Sequence, residues 1–258
     1  MNAYERVSRA RDGKRPTGAY FINEMITDFT ELHGDRRFSD DGAIMGGIGR
    51  LCGRPVTVIG MERGKTIEER MKRNFGCPSP EGYRKALRLM KQAEKFSRPV
   101  ICIVSSPGAY CGIGAEERGQ GLAIAENLME MMTLKTPIIS VIAGEGGSGG
   151  ALALSVADSV FMLENAVYSV ISPEGCASIL WKDSAKAAEA AEALKLTARD
   201  LFDFSVADKI IPEGNRSYEE ICAELKDALN GEIERLSLLD DYARCEERYN
   251  KFRRIGQL

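Results

Sequence analysis

Short apolar runs alternate with stretches of helical periodicity over most of this sequence. Residues 43–51 and 55–60 form two such runs around a Cys-Gly-Arg turn, which predicts a β-hairpin. Residues 99–104 and 137–143 are continuously apolar, as expected for strands that are buried on both faces. Buried strands that alternate with helices favour an α/β fold with a parallel sheet.

Helices are predicted where apolar residues recur every three or four positions. These stretches are residues 83–96, 116–134, 150–156, 185–201 and most of 217–254. Pro80 suits the first position of the first helix, with Ser79 as its N-cap. Two further strands are predicted at residues 159–164 and 166–171. Because no linker, low-complexity tract or repeat is visible, we expect one domain over residues 1–258.

Composition and charge narrow the classes of function. The formal net charge of −3 gives no general case for binding nucleic acid or a membrane surface. No apolar run approaches the roughly 20 residues of a membrane span, and no secretory signal is visible, so we expect a cytoplasmic protein. The seven cysteines show no C-x-x-C spacing, which argues against a disulfide framework and a zinc site. We therefore expect no metal in this chain.

The strongest candidate for chemistry is the segment 144–150, Gly-Glu-Gly-Gly-Ser-Gly-Gly, a predicted loop between a strand and a helix. Five of its seven residues are glycine, so a ligand can approach the backbone closely. Amides at such a turn stabilise a negative oxygen. The segment lacks the Gly-Lys-Ser/Thr of a phosphate loop and the acidic partner of a dinucleotide fingerprint. The alternative is that these glycines serve only close packing.

A second glycine-rich loop, residues 106–114, follows the preceding strand. Ligands collect at the carboxyl ends of parallel strands, so the two loops could direct amides at one point. The chain's one histidine, His33, is expected at a helix end, which leaves Ser148 without a convincing base for nucleophilic catalysis. The charged segment 62–73 is either a solvated helix face or a basic rim for an anionic cofactor.

Several irregular runs identify a family resemblance. The chain resembles the alpha subunit of bacterial, biotin-dependent acetyl-coenzyme A carboxylase carboxyltransferase, in order from about residue 18 to 212, at residues 73–76, 80–86, 107–110, 115–120, 144–151 and 168–177. The resemblance implies an α/β, crotonase-like (ClpP/crotonase) spiral of ββα units with helical extensions at both ends. Residues 18–212 would form the crotonase-like core and residues 213–258 a C-terminal helical extension.

The family's activity sets the remaining expectations. It moves the carboxyl group of carboxybiotin to acetyl-CoA to give malonyl-CoA, the first committed step of fatty acid synthesis. The implied partners are a zinc-ribbon beta subunit in an α2β2 heterotetramer, which shares the acyl-CoA, a biotin carboxyl carrier protein and a biotin carboxylase. By motif, the amides of Gly146 and Gly147 would stabilise the oxyanion of the biotin ureido group. The expected substrate- and biotin-binding residues are Gly108, Ala109, Tyr110, Gly149 and Gly150.

Three departures from the family pattern leave other functions open. Ser105 and Ser106 stand where an acidic residue and Thr are common, Cys111 replaces a common Pro, and acidic residues dilute the basic segment 61–70. A related biotin-dependent acyl-CoA carboxylase or decarboxylase, or a non-catalytic scaffold, would fit these changes. The run Ser172-Pro173-Glu174-Gly175 is either a wall near the active site or subunit interface, or only a capped helix start with Ser172 as the cap and Pro173 in the first turn.

Overall fold

An eight-stranded sheet lies at the centre of the computed structural model, which describes residues 1–257. The strand order is β1-β2-β3-β4-β5-β6-β8, and β7 pairs with β5 beside this path. The strands β1 to β3 are antiparallel neighbours, and all later pairs are parallel. Their bounds are β1 Thr27–Glu31, β2 Ile44–Leu51, β3 Arg54–Met61, β4 Val100–Ser106, β5 Ile138–Gly147, β6 Ser159–Leu163, β7 Val167–Ser169 and β8 Lys209–Ile211.

Twelve α-helices are found among the described residues, and they cover the sheet and both chain ends. They are α1 Ala3–Ala10, α2 Gly18–Met25, α3 Ile67–Lys72, α4 Pro80–Lys95, α5 Ile113–Glu117, α6 Gln120–Thr133, α7 Ser148–Leu152, α8 Pro173–Trp181, α9 Ala187–Leu194, α10 Ala198–Asp203, α11 Tyr218–Ser237 and α12 Asp241–Arg254. None of these helices is both long and apolar enough to span a membrane.

The predicted hairpin and the predicted α/β class are confirmed. β2 and β3 pair over their full eight residues, and the parallel strands β4 and β5 bury the two apolar runs. α4 begins at Pro80 as predicted, and its apolar stripe Ala86, Leu89, Met90 and Ala93 is fully buried. Periodicity placed these elements correctly because the apolar positions face one continuous core.

Three local predictions are wrong, each for a conformational reason. The helix predicted over residues 116–134 divides into α5 and α6 at Gly119, whose φ is 83°. The helix predicted over 185–201 also divides, because Lys195 ends α9 with a φ of 50°. His33 is at no helix end: it follows β1, and its Nδ1 lies 2.9 Å from Asp40 Oδ2.

Candidate functional site

The glycine-rich segment is mostly strand rather than loop. β5 continues to Gly147, four residues beyond the predicted end of the apolar run, and α7 begins directly at Ser148. β6 pairs only with residues 139–142 of β5, so β7 can pair with residues 145–147 on the same edge. On the other edge Gly146 is in register with Ser106 of β4. The turn from β5 into α7 is therefore short, and the strand before it is paired on both edges.

Two of the glycines are required by packing between backbones. A Cβ atom at Gly147 would lie 2.0 Å from the carbonyl oxygen of Pro107. A Cβ atom at Gly150 would lie 2.5 Å from the amide nitrogen of Ala109. The packing explanation thus holds at both positions. Gly149 differs, because a Cβ atom there would lie 3.8 Å from its nearest neighbour, Cγ2 of Ile124.

The glycine-rich loop of residues 106–114 lies against the turn from β5 into α7, so the two glycine-rich segments are adjacent in space. Ser106 Oγ accepts a hydrogen bond from the Gly108 amide at 3.1 Å and donates to the Gly108 carbonyl at 2.8 Å. Gly108 has a φ of 151°, a conformation that side chains rarely adopt. Ser106, one of the departures from the family pattern, therefore fixes the loop. Tyr110 turns away: its amide donates to the Pro78 carbonyl, and its side chain is 40% exposed.

A cavity of about 260 Å³, called here the polar cavity, opens beside this turn. One side consists of Glu145, Gly146, Gly147 and Ser148, with Pro107 next to them. The facing side is residues 169–173, called here the wall segment. The capped helix start is confirmed, because Ser172 Oγ accepts the Gly175 amide at the start of α8. Ser172 also lines the cavity.

A second cavity of about 450 Å³, called here the apolar cavity, adjoins the first through Ser148, Ser169 and Val170. Its apolar lining includes Leu152, Val160, Leu201, Val206 and Phe252. Gly149 also contributes to this cavity. Burial raises the pKa of Tyr168, another lining residue, to about 12, so its hydroxyl stays protonated at neutral pH. The two cavities together offer a ligand a polar end and an apolar end.

One arginine dominates the electrostatics of the polar cavity. Arg11, just after α1, donates to Glu145 Oε1 at 2.7 Å and to Glu174 Oε1 at 2.8 Å. Burial opposes its charge, but these two carboxylates raise the pKa of Arg11 above its ordinary value. Burial likewise opposes the charge of Glu174, yet the hydrogen bond from Arg11 lowers the pKa of that carboxyl. Arg11 and Glu174 therefore remain ionised at neutral pH.

Ser148 has the backbone of a nucleophile but lacks a base in contact. It stands at the centre of Gly146-Gly147-Ser148-Gly149-Gly150, a G-x-S-x-G sequence, with a φ of 54° between strand and helix. That spacing and turn are typical of a nucleophile elbow. His33, however, is paired with Asp40 beyond the edge strand β1, and it lines neither cavity. Among residues 1–257 no histidine, lysine or arginine lines either cavity, and the carboxylate that does, Glu145, is paired with Arg11. Side-chain nucleophilic catalysis is therefore not supported.

The structure thus sorts the predicted site residues into three groups. Gly146 and Gly147 line the polar cavity, and Gly149 lines the apolar one. Gly108, Ala109 and Gly150 lie behind the turn in backbone contact, and only Tyr110 is apart. Sequence reasoning missed Arg11 and Val7, because single residues in a charged N-terminal stretch carry no positional signal. It named Glu145 and Glu174 only as members of the segment 144–150 and of the run 172–175.

The charged segment 62–73 lines neither cavity. α3 buries none of its residues, which favours a solvated helix face. Glu62 is buried and structural, since its carboxylate accepts the amides of Ala19 and Gly64 at 2.7 and 2.6 Å. Within the described chain, no group of three or more His, Cys, Asp or Glu residues is placed to hold a metal ion.

Sequence comparisons match the chain over nearly all of its length. A family model described as acetyl co-enzyme A carboxylase carboxyltransferase-like matches residues 1–256. The acetyl-coenzyme A carboxylase carboxyl transferase subunit alpha of Ruminiclostridium cellulolyticum is 56% identical over 258 residues, covering 100% of this chain and 99% of the relative. The subunit of the same name from Streptococcus thermophilus is 57% identical over 248 residues, covering 96% and 97%.

Solved structures share the fold at low identity. A transcarboxylase 12S structure with methylmalonyl-coenzyme A bound superposes with a TM-score of 0.71 at 20% identity, over 86% of this chain and 42% of that one. A Pseudomonas malonate decarboxylase hetero-tetramer in complex with coenzyme A gives 0.64 at 16% identity, over 84% and 90%. The fold is therefore the crotonase-like α/β fold that the resemblance implied.

Proposed function

Because this chain belongs to the family of acetyl-CoA carboxylase carboxyltransferase alpha subunits, we propose that the polar cavity is where it acts on the carboxyl group carried by biotin. The observation that carries this proposal is the position of the cavity. It opens directly on the backbone of Gly146 and Gly147, at the carboxyl end of a central parallel strand.

The residues of the polar cavity fit a biotin head group. Backbone of residues 145–148 and the hydroxyls of Ser169 and Ser172 offer polar contacts, while Val170 and Leu196 offer apolar ones. A volume of about 260 Å³ suits a small bicyclic group with one polar edge. When bound, carboxybiotin supplies the carboxyl group and a ureido nitrogen that can take up a proton. The amides of Gly146 and Gly147 would stabilise negative charge on the ureido oxygen.

The other predicted residues take supporting places in this proposal. Gly108, Ala109 and Gly150 hold the turn in place from behind, since their backbones are in contact. Gly149 and the apolar cavity would take the hydrocarbon part of the biotinyl arm. Tyr110 would lie on the exposed side of the loop 106–114. Hydrophobic packing of the arm would exclude water, which matters because water competes for a labile carboxyl group.

The proposed partners are those that the family resemblance implies. The chain would depend on the biotin of a carrier protein for the proton. It would depend on a zinc-ribbon beta subunit, in an α2β2 heterotetramer, for most of the acetyl-CoA site. A biotin carboxylase would reload the carrier. The product would be malonyl-CoA.

A cavity-blocking variant tests the proposal. Val170 is 77% exposed and lines both cavities, so Val170→Trp should fill them without a folding cost. In a complex with the beta subunit, we expect carboxyl transfer from malonyl-CoA to free biotin to fall by at least about tenfold, mostly through the KM for biotin. Leu238→Trp, at a residue 87% exposed between α11 and α12, is the matched control and should leave the rate unchanged. Full activity in V170W would contradict this site.

The related functions are separated by the acyl group. A reconstituted complex that carboxylates propionyl-CoA or decarboxylates glutaconyl-CoA in preference to using acetyl-CoA would be a related carboxylase or decarboxylase. A well-assembled complex that is inactive with all three would point to a scaffold. The whole-length relatives at 56–57% identity favour acetyl-CoA.

A further inference from the structure

The helix α1 lies against the site rather than apart from it. Val7 of α1 lines the polar cavity, and the Ala10 carbonyl lies 3.3 Å from where a Cβ of Gly144 would be. Arg11, the next residue, directs its guanidinium between two carboxylates. The N-terminal segment therefore contributes a third side to the cavity.

The two carboxylates belong to opposite sides of the polar cavity. Glu145 directly precedes Gly146 in β5, and Glu174 directly follows Pro173 of the wall segment. One guanidinium spans both: Nε and Nη2 donate to Glu145 at 3.0 and 2.7 Å, and Nη1 donates to Glu174 at 2.8 Å. Among residues 1–257, Arg11 is the one cation within 4.0 Å of either carboxylate.

The shape of the Arg11 guanidinium fixes the distance between the two carboxylates that it binds. A guanidinium presents donors in a fixed planar fork, so two carboxylates that bind its different edges are held at a set separation. The side chains of Arg11, Glu145 and Glu174 are 32%, 17% and 37% exposed, so solvent screens the contacts only in part. Tyr4 of the same helix also donates to Glu174, at 3.4 Å. A lysine, as a point charge, could not hold both carboxylates in this way.

We propose that Arg11 is a positioning residue that sets the width of the polar cavity by joining the glycine-bearing end of β5 to the wall segment. This inference rests on the proposed function, since it concerns the same biotin site. Arg11 itself lines no part of the cavity. It acts through Glu145 and Glu174.

The test compares kinetic constants of variants in the complex with the beta subunit. We expect Arg11→Met to raise the KM for free biotin by roughly tenfold, because a displaced wall segment misplaces the bound group. The KM for malonyl-CoA should stay within about twofold, since the acyl-CoA is held mainly elsewhere. Arg11→Lys, which keeps the charge without the fork, should raise the biotin KM nearly as much.

Arg6→Met is the matched control. Arg6 lies on the same helix, but its Nη1 donates to the Glu164 carbonyl and to Asn165, away from the cavity. We expect R6M to lose about as much stability as R11M, measured by urea unfolding, but to keep the wild-type KM for biotin. That result would separate positioning of the cavity from simple docking of α1. Glu174→Gln keeps the shape of the wall segment, and adding R11M to it should have less than an additive effect.

The outcomes are distinct. An active wild-type complex in which R11M and E174Q leave the biotin KM unchanged would overturn the role of Arg11 alone. Equal increases in the KM for biotin and for malonyl-CoA, or equal increases in the biotin KM of R6M and R11M, would also overturn it. A wild-type complex that transfers no carboxyl group would overturn the proposed function itself.

Discussion

At the scale of single residues, glycines close together in the chain have different physical reasons to be glycine. A Cβ at Gly147 would clash with the backbone of the loop 106–114, whereas a Cβ at Gly149 would make only an ordinary van der Waals contact with Ile124. The sequence shows the same residue type at both positions. Only the position of Pro107, forty residues earlier in the chain, distinguishes them.

Substituting each glycine by alanine tests this distinction. Gly147→Ala places a methyl group 2.0 Å from the Pro107 carbonyl oxygen, so the two segments must separate, at a cost of about 1–3 kcal/mol or more. Gly149→Ala, in α7, should be neutral or stabilising by up to about 1 kcal/mol, because alanine favours helix. Urea unfolding of both variants measures the difference. Equal midpoints would show that the loops are not packed as described.

At the scale of elements, the start of α4 is held by a residue from another part of the chain. The sequence correctly predicts Ser79 as the N-cap position, but its side chain makes no capping hydrogen bond. The buried Asp41, just before β2, accepts the Ser79 amide at 2.7 Å and the Ala43 amide at 2.8 Å instead. Lys85 of α4 completes the contact by donating to the Asp41 carbonyl at 2.8 Å.

The expected order of two variants follows from these contacts. Asp41→Ala leaves two buried amides without an acceptor and should lower the free energy of unfolding by about 1–3 kcal/mol. Ser79→Ala removes no helix cap, only the 3.3 Å hydrogen bond that Asn74 Nδ2 donates to its hydroxyl, and should cost less than about 1 kcal/mol. Chemical denaturation monitored by circular dichroism provides the comparison. A larger loss in S79A than in D41A would restore the simple capping prediction.

At the scale of the whole molecule, the chain ends are joined to the sheet by arginines. Arg11 joins the N-terminal helix to β5 and α8, and Arg248 joins α12 to the loop before β6. Arg248 is 1% exposed, donates to both oxygens of Asp158 at 2.8 and 2.9 Å, and also reaches the Leu134 carbonyl. Phe252, one turn further along α12, lines the apolar cavity, so the docking of this helix also shapes the site.

Removing this arginine should therefore have a large effect. Arg248→Met leaves the buried carboxylate of Asp158 without its cation, which we expect to cost about 3–5 kcal/mol. Arg253→Met, at an exposed position on the same helix, should change stability by less than about 0.5 kcal/mol. Thermal unfolding of the two variants gives the measurement. Similar melting temperatures would mean that α12 contributes little to the fold.

The sequence by itself determined the class of fold, the order of most elements and the segment that lines the candidate site. Apolar periodicity reports which face of an element is buried, and five glycines in seven residues report a backbone that something approaches closely. The irregular runs were enough to identify the family. These are local properties, so they can be read along the chain.

Only the tertiary structure decided what each residue of the site contacts. Pairing with β7 extends β5 into the glycine segment. The contact between the loop 106–114 and the turn from β5 into α7 explains why Gly147 and Gly150 must be glycine. The hydrogen bonds from Arg11 to Glu145 and Glu174 connect residues that are 134 and 163 positions apart in the chain. Such contacts depend on chain crossings that no local pattern records, because the free energy of a contact depends on proximity in space and not on distance along the sequence.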